Sequence, residues 1–152
     1  MKIKSVDLPR QYEIYKKEIL DAIIKVLDNG DFILGRDVKN IETSFSDYIG
    51  CEYGVGVDSG TSALALALSS ANIGTGDEVI TVPNTYISTA YAISECGAKV
   101  VFVDVDEKTQ LMDVSKVPDL INSKTKAIIP VHLFGQMVDM KPLVKIARKH
   151  NI

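Results

Sequence analysis

The stretch GVDSGTSALALAL, residues 56–68, passes from a short apolar run through Asp58, Ser59, Gly60 and Thr61 into an Ala/Leu repeat with helical character. Small polar residues at a helix start carry a definite chemistry. Gly60 lets the backbone approach a ligand closely, Ser59 and Thr61 supply hydroxyls, and the first N–H groups of the helix point back at the turn without partners. Such a turn is an anion seat. The same residues also serve as a helix cap, which alone accounts for a Ser or Thr there. A second candidate is Tyr86 in VPNTYISTA, residues 82–90. It stands at the start of the next helix, on the same sheet edge, where an aromatic ring can stack on a flat heterocycle. Tyrosines at strand ends also simply cover the rim of a core. Taken together, the two elements fit one small molecule with a phosphate and a planar ring.

The elements that must position these residues follow from periodicity. Residues 11–27 place Tyr12, Tyr15, Ile19, Ala22, Ile23 and Val26 at helical spacing and stop at Asn29-Gly30; a shorter helix is expected over 38–49. Strands are expected over 53–57, 78–82, 100–105 and 127–131, with helices over 61–71, 87–96, 115–121 and 142–150. This alternation predicts an α/β fold, a mostly parallel sheet with helices on both faces. The loops GTGDE, CGAK and NSKTK lead from helix to strand, which leaves the edge at the strand C-termini for ligands. The chain ends at His150-Asn151-Ile152, where the last helix is expected to hand over to another buried strand. The sheet is therefore expected to be incomplete at the C-terminus and the sequence to be part of a longer protein.

Other chemistries are less well supported. Glycines at 54, 56 and 60 invite a dinucleotide reading, but the spacing is G-x-G-x-x-x-G, and the strand ending Thr81-Val82-Pro83 lacks the acidic residue such a site needs. Asp104 and Asp106 read as a strand end and a turn, since no further ligand is spaced to complete a metal shell; no metal is expected. His132 faces either the ligand edge or a structural hydrogen bond. Cys51 and Cys96 stand apart from any His/Cys cluster, which suggests reduced thiols in a cytoplasmic protein. The 152 residues are 46% hydrophobic and 24% charged with a formal net charge of -3, which argues for a globular domain and against nucleic acid as the main partner. Neither a secretory signal nor a membrane span is expected.

The segments SGTSALALAL, GTGDEVITVPNTYISTAYAI, GAKVVFVDVDEKTQLMD and TKAIIPVHLFGQMVDM, together with DNGDFILG, resemble successive blocks of the DegT/DnrJ/StrS family. Members of that family are pyridoxal-phosphate-dependent aminotransferases acting on nucleotide-linked keto-sugars. The resemblance implies the large-domain fold of the aspartate aminotransferase type (fold type I). It also implies a division into an N-terminal helical segment, 1–50, and the first part of the cofactor-binding α/β domain, 51–152. By matching motif, Ser59, Gly60 and Thr61 would hold the pyridoxal 5'-phosphate group, Tyr86 would stack on the pyridine ring, and Phe32 would lie near the sugar.

The aspartate that pairs with the ring nitrogen and the lysine that joins the cofactor are expected beyond residue 152, so no catalytic residue is expected within this chain, which is expected to be inactive alone. Lys99, Lys108, Lys124, Lys126 and Lys141 match no family lysine motif. The implied partners are a nucleotide-linked keto-sugar, an amino-acid amino donor and a second subunit in a homodimer. VDLPRQY near the start is similar to members acting at the sugar C3 position. Three alternatives stay open: a pyridoxal-phosphate sugar dehydratase of the same family, a nicotinamide-dependent oxidoreductase, and a non-catalytic half-enzyme or regulator.

Overall fold

A computed structural model describes Lys4 and residues 6–152; the start of the expected segment 1–50, residues 1–3 and 5, lies outside the described residues. The chain divides into two compact units, the first ending at Gly56 and the second beginning at Val57.

The first unit is a helix pair. Helix α1, Leu8–Asn29, starts where Pro9 fixes a helical φ and the Asp7 carboxylate accepts the Arg10 N–H, and it stops where Gly30 turns left-handed at φ 66°. No residue of α1 is buried. Helix α2, Arg36–Ile49, ends in the same way at Gly50, φ 79°. The turn between them is tight: the Asp31 carboxylate accepts the Arg36 N–H at 2.9 Å. A Cβ on Gly35 would stand 2.7 Å from the Asp31 carbonyl oxygen, so only glycine fits.

The strand expected over 53–57 is absent. Its alternating apolar residues point to solvent, with Val55 81% exposed. The Gly56 N–H bonds to the Glu42 carboxylate at 2.7 Å instead of a neighbouring strand. Gly54 lies so close to α2 that a Cβ would come within 2.6 Å of the Glu42 carbonyl oxygen. Apolar alternation signals a strand only where a partner and a core receive it, and neither occurs for this segment among the described residues.

The second unit holds α3 (Gly60–Ser70), β1 (Glu78–Thr81), α4 (Ser88–Glu95), β2 (Lys99–Phe102), a 3-10 turn running into α5 (Val117–Leu120), β3 (Thr125–Ile128) and α6 (Met140–His150). The three strands form a parallel sheet in the order β2-β1-β3. Central β1 is buried at all its positions. Its side chains alternate between two cores. Val79 packs with Leu68, Ala92 and Ile93 of α3 and α4. Ile80 packs with Val117 and Leu143 of α5 and α6. The expected fold class, a parallel sheet with helices on both faces, is what the chain forms. Element ends differ by at most three residues from those expected; β3 begins at Thr125, whose hydroxyl accepts the Asn122 N–H at 3.0 Å.

At the N-terminal end of β1 the Glu78 carboxylate is nearly buried and fully partnered. It accepts from the Asn122 amide at 2.8 Å and from the Lys99 ammonium at 2.9 Å. The Asn122 bond, followed by that of Lys99, holds its carboxyl below the ordinary range. The lowered pKa stabilises the fold above the unfolded carboxyl's pKa, about 4.3, and that contribution is lost as pH falls through the folded value. Glu78→Gln should therefore flatten the acid limb of the stability curve, read as urea midpoints from about pH 6 downward. An acid limb of unchanged slope would show that Glu78 carries none of it.

Candidate functional site

The Ser59-Gly60-Thr61 turn and the Asn84-Thr85-Tyr86 loop both lie in the second unit, and Thr61 reaches the first turn of the helix that follows the loop. Ser59 is the N-cap of α3: extended, with its hydroxyl accepting the Ser62 N–H at 3.1 Å and its carbonyl accepting the Ala63 N–H at 3.0 Å. The cap thus takes care of the third and fourth N–H groups. Those of Gly60 and Thr61 have no hydrogen-bond partner among the described residues. A Cβ added at Gly60 would meet nothing within 4 Å, so the glycine fronts open space and is not required by the chain's own packing. The side chain of Thr61 turns towards α4, and its hydroxyl lies 2.7 Å from that of Ser88.

This hydroxyl contact brings together the N-termini of α3 and α4. Neither helix has an acidic residue in its first turn, and the nearest carboxylate in sequence is Asp58, just ahead of the Ser59 cap. Tyr86 stands two residues ahead of Ser88 and is 77% exposed. Two free N–H groups, two hydroxyls and an uncovered aromatic ring are what an anion attached to a flat ring system requires.

The other sequence-predicted positions lie elsewhere or serve the fold. Phe32 is in the first unit, exposed in the α1–α2 turn. Nδ1 of His132 accepts the Val138 N–H at 3.1 Å, which fixes the neutral ring's proton on Nε2. Asp104 accepts from the Val105 N–H and from Lys116, and these bonds, the backbone one foremost, hold its carboxyl below the ordinary range. Asp106 closes a turn by accepting the N–H groups of Thr109 and Lys108 at 2.8 and 3.0 Å, again with a lowered carboxyl. No cluster of three or more His, Cys, Asp or Glu side chains able to hold a metal ion occurs among the described residues, and no helix there is long and apolar enough to cross a membrane.

Sequence reasoning missed Ser88 and Asn84. Ser88 was legible in principle, since a hydroxyl in the first turn of the next helix repeats the pattern at Thr61. The Asn84 amide donates to the Gln110 carbonyl at 2.8 Å, a partner 26 residues away that no local pattern marks.

Comparison with known proteins places the chain as a whole. Residues 13–152 match the family described as DegT/DnrJ/EryC1/StrS aminotransferases. A dTDP-3-amino-3,4,6-trideoxy-alpha-D-glucose transaminase from Micromonospora megalomicea subsp. nigra is 47% identical over 142 residues, 93% of this chain and 38% of the relative. A pleiotropic regulatory protein from Geobacillus stearothermophilus is 43% identical over the whole chain, which corresponds to 41% of its own length. Among solved structures, the crystal structure of DesV from S. venezuelae in complex with a ketimine intermediate superposes with a TM-score of 0.96 at 38% identity, covering 99% of this chain and 41% of that one. The chain spans about two fifths of the length of the curated relatives it matches. A match through nearly every residue, carried by both sequence and backbone, assigns the chain to the DegT/DnrJ/EryC1/StrS aminotransferase family.

Proposed function

We propose that these residues form the front part of a pyridoxal-phosphate-dependent aminotransferase that passes an amino group from an amino-acid donor to a nucleotide-linked keto-sugar. The observation that carries this reading is the convergence of the α3 and α4 N-termini at the Thr61–Ser88 contact, beside the uncovered ring of Tyr86. The N–H groups of Gly60 and Thr61 and the Thr61 hydroxyl donate to the cofactor phosphate. Ser59 caps the helix so that these donors stay aimed outward. The face of Tyr86 covers the pyridine ring and holds its plane. Bound there, pyridoxal phosphate supplies an electron sink for the pair released when a C–H bond of the amino donor breaks. Holding the ring plane keeps that bond aligned with the π system.

The lysine that joins the cofactor is assigned to the remainder of the protein. Lys99 supports this, because its ammonium is engaged with Glu78 at the sheet edge opposite Tyr86. Lys116 is held between Asp104 and Asp113. The 152-residue chain by itself then has no transaminase activity. Phe32 is assigned to the sugar side, and the working enzyme to a cytoplasmic homodimer. The name of the M. megalomicea relative and the VDLPRQY opening favour a 3-keto sugar as acceptor. A second reading, a regulator on the same fold, is favoured by the name of the G. stearothermophilus relative.

In the full-length protein, borohydride reduction of the cofactor-loaded form followed by peptide mapping should find the pyridoxyl group on a lysine outside residues 1–152. A pyridoxyl group on any lysine within them would overturn the assignment. Steady-state turnover should favour nucleotide 3-keto over 4-keto sugars, and bound cofactor with no turnover on either would select the regulator. Thr61→Ala should weaken cofactor retention by about 1.5–3 kcal/mol, the range for a hydrogen bond to a charged group, whereas a helix-capping role alone would change stability and leave retention untouched. Tyr86→Ala should speed cofactor dissociation while Tyr86→Phe has little effect, since the ring face and not the hydroxyl makes the contact. Equal damage from Phe and Ala would exclude stacking.

A further inference from the structure

We propose that Asn84 is a positioning residue for the Tyr86 ring, acting through the backbone carbonyl of Gln110; this rests on the cofactor-stacking role given to Tyr86 above. The loop from Pro83 to Ile87 leaves a buried strand end, Val82, and enters α4. Between those ends, among the described residues, its one side-chain hydrogen bond to a distant part of the chain is that of Asn84 Nδ2 to the Gln110 oxygen, 2.8 Å. The Tyr86 carbonyl accepts only from Thr89, within its own helix start, at 3.3 Å. The residue is 77% exposed, so little side-chain packing fixes the ring. Whatever sets the ring before a ligand arrives is set by the backbone of this loop, and Asn84 is its tether.

The far end of the tether is rigid. Residues 105–112 form a closed hairpin, bridged between Val105 and Met112, with the Asp106 N–H bonded to the Leu111 carbonyl at 2.9 Å and the Gln110 N–H to the Asp106 carbonyl at 2.8 Å. The Asp106 carboxylate ties down its interior through Lys108 and Thr109. Leu111 and Met112 anchor it in the core. Gln110 itself sits at φ 58°, a left-handed conformation in which its carbonyl is presented to Asn84. A carbonyl only accepts, so the Asn84 group facing it is the NH2, and an aspartate of the same size would set an acceptor against an acceptor. The residue therefore works as a donor, and its chemistry is separable from its shape.

The test uses the full-length protein loaded with pyridoxal phosphate. Asn84→Asp and Asn84→Ser should each speed cofactor dissociation about 3- to 10-fold, the loss of one neutral hydrogen bond. They should raise amide hydrogen exchange across residues 83–88 and change the visible circular dichroism of the bound cofactor, with the thermal midpoint unmoved. Gln110→Asn, which keeps the carbonyl and tolerates positive φ, should behave as wild type. In a Tyr86→Ala background, adding Asn84→Asp should give no further acceleration, because the tether acts through the ring. Full additivity in that background, or unchanged exchange across 83–88, overturns the proposal. If Tyr86→Ala alone leaves dissociation unchanged, the stacking reading fails and takes Asn84's role with it. If Tyr86→Ala accelerates dissociation and Asn84→Asp does not, the tether alone is wrong.

Discussion

The two-residue period of β1 governs the second unit. With Val79 turned to one face and Ile80 to the other, a strand buried at every position needs a helical layer on each side, and the chain supplies α3 and α4 to one and α5 and α6 to the other. Because α3 and α4 share a face, packing through Leu68, Ala92 and Ile93, their first turns come to lie side by side. The juxtaposition of Thr61 and Ser88 follows from where Val79 points. The chemistry at the strand ends is thus a consequence of burial several residues away, and Glu78 and Thr81 complete the strand with satisfied polar groups at its two ends.

Much of this was legible because it is periodic. The Ala/Leu repeat after Thr61 and the apolar strand between Glu78 and Val82 each declare an element, and short loops between them enforce a parallel order. The SGT turn was legible as an anion seat or a cap, and the structure gives Ser59 the capping bond while leaving the Gly60 and Thr61 N–H groups without one among the described residues. Residues 53–57 misled for a physical reason. Tyr53, Val55 and Val57 alternate as strand residues do, yet a strand requires a ladder, and Gly56 gives its N–H to a glutamate side chain. Local pattern reports a preference for half-buried pleated backbone, and the partner decides whether it is used. Tertiary tethers were illegible throughout, since the Asn84 amide is satisfied by a backbone carbonyl that any residue at 110 would carry.

The carboxylates divide by the bonds they accept. Asp104 and Asp106, two residues apart and read from the sequence as a strand end and a turn, are spent on backbone N–H groups and on Lys116. Those bonds favour the ionised form, which is why both carboxyls are lowered, and they hold the hairpin that in turn presents the Gln110 carbonyl. The acidic pair is structural in space, as its sequence reads. Here its structural use lies one step behind the ligand edge, since the hairpin it closes is the one that holds the Tyr86 loop.

The meeting of α3 and α4 leaves a specific surplus. Two helix N-termini brought together repel through their partial positive charges, and neither first turn carries an acid to relieve it. The Thr61–Ser88 contact consumes one hydroxyl proton, whichever group donates, while two hydroxyls carry two. One proton is therefore left for another acceptor, in addition to the unbonded N–H groups of Gly60 and Thr61. Unbonded donors and two converging dipoles make a site that the chain's own hydrogen bonds leave unsatisfied among the described residues. Under the proposed phosphate-holding role an anion would resolve each of these at once, which fits small residues with hydroxyls, and not acids, in both first turns.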